Sequence, residues 1–165
     1  MNMKNFKYLQ SIARASSLVL LFLLVSLVAC KKDSDPSPTG VAGSWQITAI
    51  NIVPAFFGIS DYLATFTLTG DTCPSQIAFV FNENGSVEIN APASCTDTRD
   101  ELIELIGINN STTWEVDGET LILTTGGASM ELDLTVNAST MNLAATEIPL
   151  QDGANHTITF VFKRM

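Results

Sequence analysis

Histidine is almost missing from this chain of 165 residues: there is one, His156. A nucleophile–base–acid arrangement needs a base within reach of a Ser or Cys. Hydrolytic chemistry therefore has a single candidate base, and its place between Asn155 and Thr157 reads as the rim of a strand mouth. Cysteine is scarce as well, with three copies. Structural zinc wants four Cys or His ligands in a recognisable spacing, which Cys73, Cys95 and a distant His156 do not supply. Bases are few: eight Lys and Arg stand against 17 Asp and Glu, a net charge of −9. That field repels phosphate backbones and excludes nucleic acid as a partner. No Gly-rich loop follows a strand and opens a helix, so no phosphate cradle is read. Asp97, Asp100, Glu101 and Glu104 are spaced as one face of a helix. Calcium loops carry acids at alternating positions around a glycine turn, so these four read as a solvated face. No catalytic residue, metal site or cofactor is assigned, and the reading is that the protein is not an enzyme. Long apolar runs are also lacking. A spanning helix needs about 20 apolar residues, and the run 18–29, broken by Ser26, is too short.

That short run has a context. A basic head carrying Lys4, Lys7 and Arg14 precedes it, and Leu27-Val28-Ala29-Cys30 closes it. Positive head, apolar middle and small residue before the cut describe a secretory signal. The Cys directly after the small residue resembles the lipobox of a bacterial lipoprotein signal. The resemblance implies removal of residues 1–29, lipidation of Cys30 by diacylglyceryl and a further fatty acyl group such as palmitate, and anchoring to the outer membrane of the cell envelope. Two or three acyl chains hold stably where one is marginal. Every acid lies after Cys30 but only five bases do, so the mature chain carries 17 acids against five bases, a net −12. Membrane contact is then expected from the lipid and not from the domain surface. Residues 30–42 read as the lipidated Cys and a flexible tether rich in Ser, Pro, Asp and Gly. Within it, Lys32-Asp33-Ser34-Asp35 fits either a surface-export signal or a plain solvated linker.

From residue 43 to 165 the pattern changes to period two, the mark of half-buried strands. Strands are expected at 44–49, 62–69, 76–81, 86–90, 112–116, 119–125, 129–136, 140–145 and 156–163. Residues 54–58, with Pro54 and Gly58, are read as a break after the first of these. Asn82-Glu83-Asn84-Gly85 is a strong hairpin turn, since Asn and Gly tolerate positive backbone angles. Asp117-Gly118 and Gly126-Gly127 turn the chain again. Residues 96–106 are read as one short amphipathic helix with Leu102, Ile103 and Ile106 inward, Thr96 or Thr98 as its cap and Gly107 as its end. Consecutive hairpins predict an all-β antiparallel meander, closed as a barrel or packed as a sandwich.

The order of motifs resembles a family. Gly43-Ser44-Trp45 opens the domain, a Cys precedes Phe79-x-Phe81-x-x-x-Gly85, and a second Cys follows that hairpin. Trp114-x-Val116-x-Gly118-x-x-Leu121 comes next, and Phe160 to Lys163 closes the chain. This is similar to the lipocalin-like domains of bacterial lipoproteins. The resemblance implies an antiparallel up-and-down lipocalin-like β-barrel of about eight or nine strands with one short helix. It also implies that Trp45 packs across a closed end. It brings no catalytic residues.

Two expectations about sites follow. With Cys30 consumed by lipid, Cys73 and Cys95 form an even pair, and an oxidising envelope favours a disulfide. They lie about ten residues before and about eleven after the midpoint of the 82–85 turn. Positions equidistant from an antiparallel turn face each other, so the two should meet. The second expectation is a small hydrophobic ligand. Inward candidates to line it are Phe66, Phe79, Phe81, Trp114, Met130 and Phe160, although a small barrel either holds one molecule or is filled by its own side chains. Phe56 and Phe57, adjacent in a connection, read equally as a lid, a partner-binding patch or a satellite of the core. A non-enzymatic interaction module of an envelope complex, contacting its partner through Phe56 and Phe57, is the second functional reading.

Overall fold

The computed structural model describes residues 40–165. The Cys30 lipobox and nearly all of the tether lie outside the described residues.

Nine antiparallel strands make one sheet: β1 (Gly43–Phe56), β2 (Ile59–Asp61), β3 (Ala78–Phe81), β4 (Val87–Asn90), β5 (Thr113–Asp117), β6 (Thr120–Thr125), β7 (Ala128–Val136), β8 (Thr140–Pro149) and β9 (Asn155–Arg164). Two helices interrupt them, α1 (Leu63–Leu68) and α2 (Thr96–Ile106). The strand order is β4-β3-β1-β9-β8-β7-β6-β5, with β2 paired to β1. Each strand after β3 neighbours the next in sequence, except across α2, and the last strand returns to the first. That is an up-and-down barrel. Its seam lies between β4 and β5, which meet at one bridge, Ser86 with Thr113. Val87 N–H donates to the Thr112 carbonyl at 3.0 Å and Trp114 N–H to the Gly85 carbonyl at 2.7 Å. In sequence α2 lies between these two strands, with Leu102 and Ile106 buried in the core.

Alternation does the sorting. Trp45, Ile47, Ile50, Phe79, Phe81, Leu121, Leu123, Leu132, Met141, Phe160 and Phe162 all point inward and form a single core. The interior is occupied by rings in edge contact: Phe79 meets Phe162 at 5.5 Å between centroids, and Phe81 meets Trp114 at 5.9 Å. Edge-to-face geometry suits the ring quadrupoles. Trp45 is fully buried at one end, where its indole N–H donates to the Val41 carbonyl at 2.7 Å. The Arg164 guanidinium lies 4.1 Å from the centre of the Trp45 ring. The same guanidinium donates to the carbonyls of Gly40, Ala42 and Ala138, tying the chain entrance to the last strand.

The hairpin β3–β4 closes through Asn82 and Ser86, with Gly85 at φ +82°. Ala78 faces Asn90 in the ladder, and five residues further out on each side Cys73 and Cys95 are joined by a disulfide.

Three expectations are corrected. Residues 62–69 are not a strand: α1 buries Leu63 and Phe66, one helical turn apart. The threonines that suggested a strand bond back along the helix, Thr65, Thr67 and Thr69 donating to the carbonyls of Tyr62, Ala64 and Phe66. Asp61 starts the turn by accepting the Leu63 N–H at 3.0 Å. Local side-chain bonds of this kind override β propensity. Next, Pro54 does not end β1, which runs on to Phe56 and folds back on β2 through a turn with Phe57 at φ +49° and Gly58 at φ +84°. Pro54 is accommodated because ladder pairing with β9 stops at Val53, so no N–H is missed there. Third, neither threonine caps α2. Cys95 holds the cap position without a side-chain bond, Thr96 donates to the Ala93 carbonyl, and Thr98 to Asp71. Gly107, at φ +75°, does end the helix.

Candidate functional site

β1 pairs with β3 only from Gly43 to Gln46. Just beyond, Thr48 is an extra residue against β9, a bulge between the Ile47–Phe162 and Ala49–Val161 pairs. Bulges bend a strand and strengthen its twist. Between Gln46 and Asn51, where pairing with β2 begins, the edge of β1 is not covered by a strand. The chain from Asp61 to Ser75 covers it instead, as α1, a glycine-ended connection and a 3-10 turn over Cys73–Gln76. The cover does not close on the strand. A cleft of about 490 Å3 remains between Gln46, Ile47 and Thr48 on one side and Leu63, Ala64, Thr67 and Pro74 on the other. Ile47, Leu63 and Pro74 are buried and make an apolar floor, while Thr48, Thr67 and Thr72 are exposed around it. That combination of an apolar base and a few placed polar groups is what small-molecule sites have.

The walls are braced. Asp61 accepts the N–H groups of both Ile50 and Leu63 at 3.0 Å. Asp71 accepts the Cys73 N–H at 2.7 Å and the Thr98 hydroxyl at 2.6 Å. These bonds, the hydroxyl's first, hold the Asp71 carboxyl below the usual carboxylate range. The Tyr62 hydroxyl donates to Glu101 at 3.2 Å, joining α1 to α2. Burial first, and Glu101 second, push the Tyr62 phenol up. The disulfide fixes the 3-10 turn to the start of α2.

The residues expected to line a ligand fall in two places. Phe66, Phe79, Phe81, Trp114 and Phe160 come together in the core, and Met130 packs against it half-buried. Phe56 and Phe57 stand apart at the tip of the β1–β2 hairpin, their rings 4.5 Å apart, Phe56 half-buried and Phe57 74% exposed. None of the eight borders the cleft. Sequence reading missed the cleft because one wall, with Leu63, Ala64 and Thr67, comes from a helix read as a strand. The signal that was available is Asp61 placed two residues before Leu63, the spacing of an Asx turn.

His156 is at the start of β9, as expected, but it is 1% exposed and not a rim residue. One ring nitrogen, Nδ1, lies 2.7 Å from the Pro54 carbonyl, and Nε2 lies 2.9 Å from the Asp152 carboxylate. Both partners are acceptors, so both bonds form together only when the ring carries two protons. Asp152 first and the Pro54 carbonyl second raise the His156 pKa, and the same bond lowers that of Asp152. With both nitrogens engaged and no Ser or Cys on them, the ring is a clamp between the 150–154 loop and the hairpin. The four acids of α2 are exposed, and Asp100 pairs with Arg99 at 2.7 Å. Among the described residues no three His, Cys, Asp or Glu side chains are grouped to hold a metal, and no helix is long and apolar enough to cross a membrane.

No curated protein and no solved structure matches the chain. A family model does. Residues 41–143, more than half of the sequence, match the lipocalin-like domain. The matched span runs from just before Trp45 into β8, through the cleft and the disulfide-braced hairpin, and the chain belongs to the lipocalin-like domain family.

Proposed function

We propose that this protein is a non-enzymatic binding protein of the cell envelope, anchored to the outer membrane by lipid on Cys30, that holds a small hydrophobic molecule in the cleft beside β1. The observation that carries the reading is the cleft of about 490 Å3 with its buried apolar floor, set beside a barrel whose interior side chains pack on one another. Family membership supports the ligand class, and the Leu27-Val28-Ala29-Cys30 sequence supports the anchor. The test uses the mature chain with Cys30→Ser and the neutral fluorescent dye Nile red. Wild-type cleft residues should give saturable fluorescence, and Ala64→Trp, which fills the cleft from the exposed side of α1, should abolish it while leaving the fold intact. Equal binding by the filled variant refutes the site. For the anchor, Cys30→Ser should end incorporation of labelled palmitate and release the protein from membranes; undiminished label in the variant refutes it.

Phe57 favours a second reading, a protein contact. A large aromatic at the tip of a projecting hairpin, with Val53 65% exposed beside it on the same hairpin, presents apolar surface to a partner. A photoreactive phenylalanine at position 57 should then crosslink to an envelope protein in cells, and one at Ser60 should not. No crosslink from position 57 refutes this reading.

A further inference from the structure

The hairpin that carries Phe57 is tied to the rest of the fold at few points. Ladder pairing of β1 with β9 ends at Val53–Thr157. From there the chain turns at Phe57 and Gly58 and returns as β2, three residues that pair with β1 itself. Among the described residues, one side-chain hydrogen bond reaches residues 54–60, from His156 Nδ1 to the Pro54 carbonyl at 2.7 Å. Phe56 adds a contact, edge-on to the same imidazole at 5.9 Å between centroids. The far side of the ring is fixed. Asp152 receives His156 Nε2 at 2.9 Å and the Ala154 N–H at 3.1 Å, and its loop closes on itself through the Gly153 N–H to the Leu150 carbonyl at 3.0 Å. One buried imidazole thus joins a self-held loop to a hairpin with few other attachments.

A neutral imidazole has one N–H for these two acceptors. The proton that stays goes to the ionised acceptor, since charge-assisted bonds are the stronger. Nδ1 and the Pro54 oxygen then face each other as two buried acceptors, an arrangement that costs free energy to hold. We infer that His156 is a proton-operated latch: with both nitrogens protonated it holds the β1–β2 hairpin to the 150–154 loop, and on losing the Nδ1 proton it releases residues 54–60 and Phe57 with them. The hairpin can part there without breaking another ladder, because β2 pairs with β1 alone. Asp152 is the charged group that acts on the ring. Residues 53–60 carry no titratable side chain, and β9 carries no other before Lys163. On β8 the Glu147 carboxylate is taken by the Asn155 amide at 2.7 Å, and Asp61 at the end of β2 is taken by the N–H groups of Ile50 and Leu63. Asp152 first and the Pro54 carbonyl second raise the folded pKa. The latch is therefore closed below the unfolded value of about 6.5 and opens as pH rises through the folded value. It depends neither on a ligand in the cleft nor on a partner at Phe57.

An NMR titration of the mature chain carrying Cys30→Ser follows ring and hairpin together. The ring proton of His156, the sole histidine, gives one midpoint. The methyl groups of Ala55 and Ile59 stay visible at alkaline pH and report the hairpin. They should move toward unfolded-chain shifts with the same midpoint, and the nuclear Overhauser contact between the Phe56 and His156 rings should vanish above it. The methyls of Val87 and Ile89, on β4, should not move. Asp152→Asn removes the charge that favours the ring proton, so both midpoints should fall together; a merely structural clamp would not tie the hairpin to a displaced midpoint. His156→Gln should end the titration of the hairpin methyls. Should that variant not fold, the displacement in Asp152→Asn decides alone. Hairpin methyls that hold still while the ring titrates overturn the latch, as do methyls that titrate away from the ring's midpoint or still titrate in His156→Gln. A ring that keeps one protonation state over the whole range in which the fold survives overturns it too.

Discussion

Breaking the Cys73–Cys95 bridge should destabilise the domain by an amount that chain entropy sets. The crosslink spans 22 residues. Closing a loop of that length in the unfolded chain removes about 11 cal/mol/K, or about 3 kcal/mol at room temperature. For the 126 described residues, an unfolding entropy of about 2.1 cal/mol/K per residue gives roughly 0.26 kcal/mol/K. The melting temperature should therefore fall by about 12 °C. The assay is a thermal melt of the mature chain with and without a reductant, repeated on Cys73→Ala with Cys95→Ala. Wild type should lose those degrees on reduction. The double variant should start near the reduced value and ignore reductant. The slope of a urea titration should rise on reduction, because the freed unfolded chain exposes more surface. A wild-type melt that moves by less than about 2 °C would refute the entropy argument. Residual structure in the reduced unfolded chain would then already hold the two segments together.

Further outcomes follow from single residues. His156 has a raised folded pKa, so its stabilisation is complete below the unfolded value of about 6.5 and is lost as pH rises through the folded value. Denaturant midpoints should drop over that alkaline window and stay flat in His156→Gln, and as the sole histidine its ring proton gives an unambiguous NMR titration; a midpoint at or below the unfolded value refutes the two-acceptor geometry. Arg164→Ala removes three guanidinium bonds and the Trp45 stack and should cost about 3 kcal/mol by urea unfolding, with Arg164→Lys recovering only part, since an ammonium cannot fork onto several carbonyls. Phe57 sits at φ +49° and is largely exposed, so Phe57→Asn should leave stability unchanged or raise it by up to about 1 kcal/mol. A loss larger than that would show the ring packing into the fold.

The barrel was legible because alternation is a local signal that survives folding. Ile77, Phe79 and Phe81 faced Val87 and Ile89 across Asn82-Glu83-Asn84-Gly85, and the ladder pairs Phe79 with Ile89 and Phe81 with Val87. The disulfide was legible for the same reason, because register carries outward from a turn. Met130, Leu132, Leu134 and Val136 turn inward from one face of β7, as their spacing required. What failed was local chemistry that mimics another period. Tyr62, Ala64, Phe66 and Leu68 alternate with threonines, yet in the helix Leu68 is 86% exposed and Leu63 is buried. His156 looked like a rim residue because its acceptors, the Pro54 carbonyl and Asp152, lie on a strand extension and a loop that periodicity does not place. The cleft was legible only through Asp61 two residues before Leu63, since it lies where β1 loses one strand partner, which periodicity does not show.

That missing partner explains why the cleft lies where it does. An uncovered strand edge invites pairing with another chain, and folds cover such edges with a helix, a loop or a bulge. Here all three devices fall between Gln46 and Gln76: the Thr48 bulge, α1, and the 3-10 turn after Gly70. A fifth residue pair beyond Gln46–Ala78 would have narrowed the open edge and the cleft with it. A cover made of a six-residue helix cannot follow a bent strand along its length, so space persists beneath it. The disulfide, the Asp71–Thr98 bond and the bonds from Ile50 and Leu63 N–H to Asp61 brace its walls. The rings of Trp45, Phe79 and Phe162 meanwhile fill the barrel, and displacing any of them to admit a molecule would cost several kcal/mol of packing. Occupying the braced gap outside the sheet disturbs none of that core.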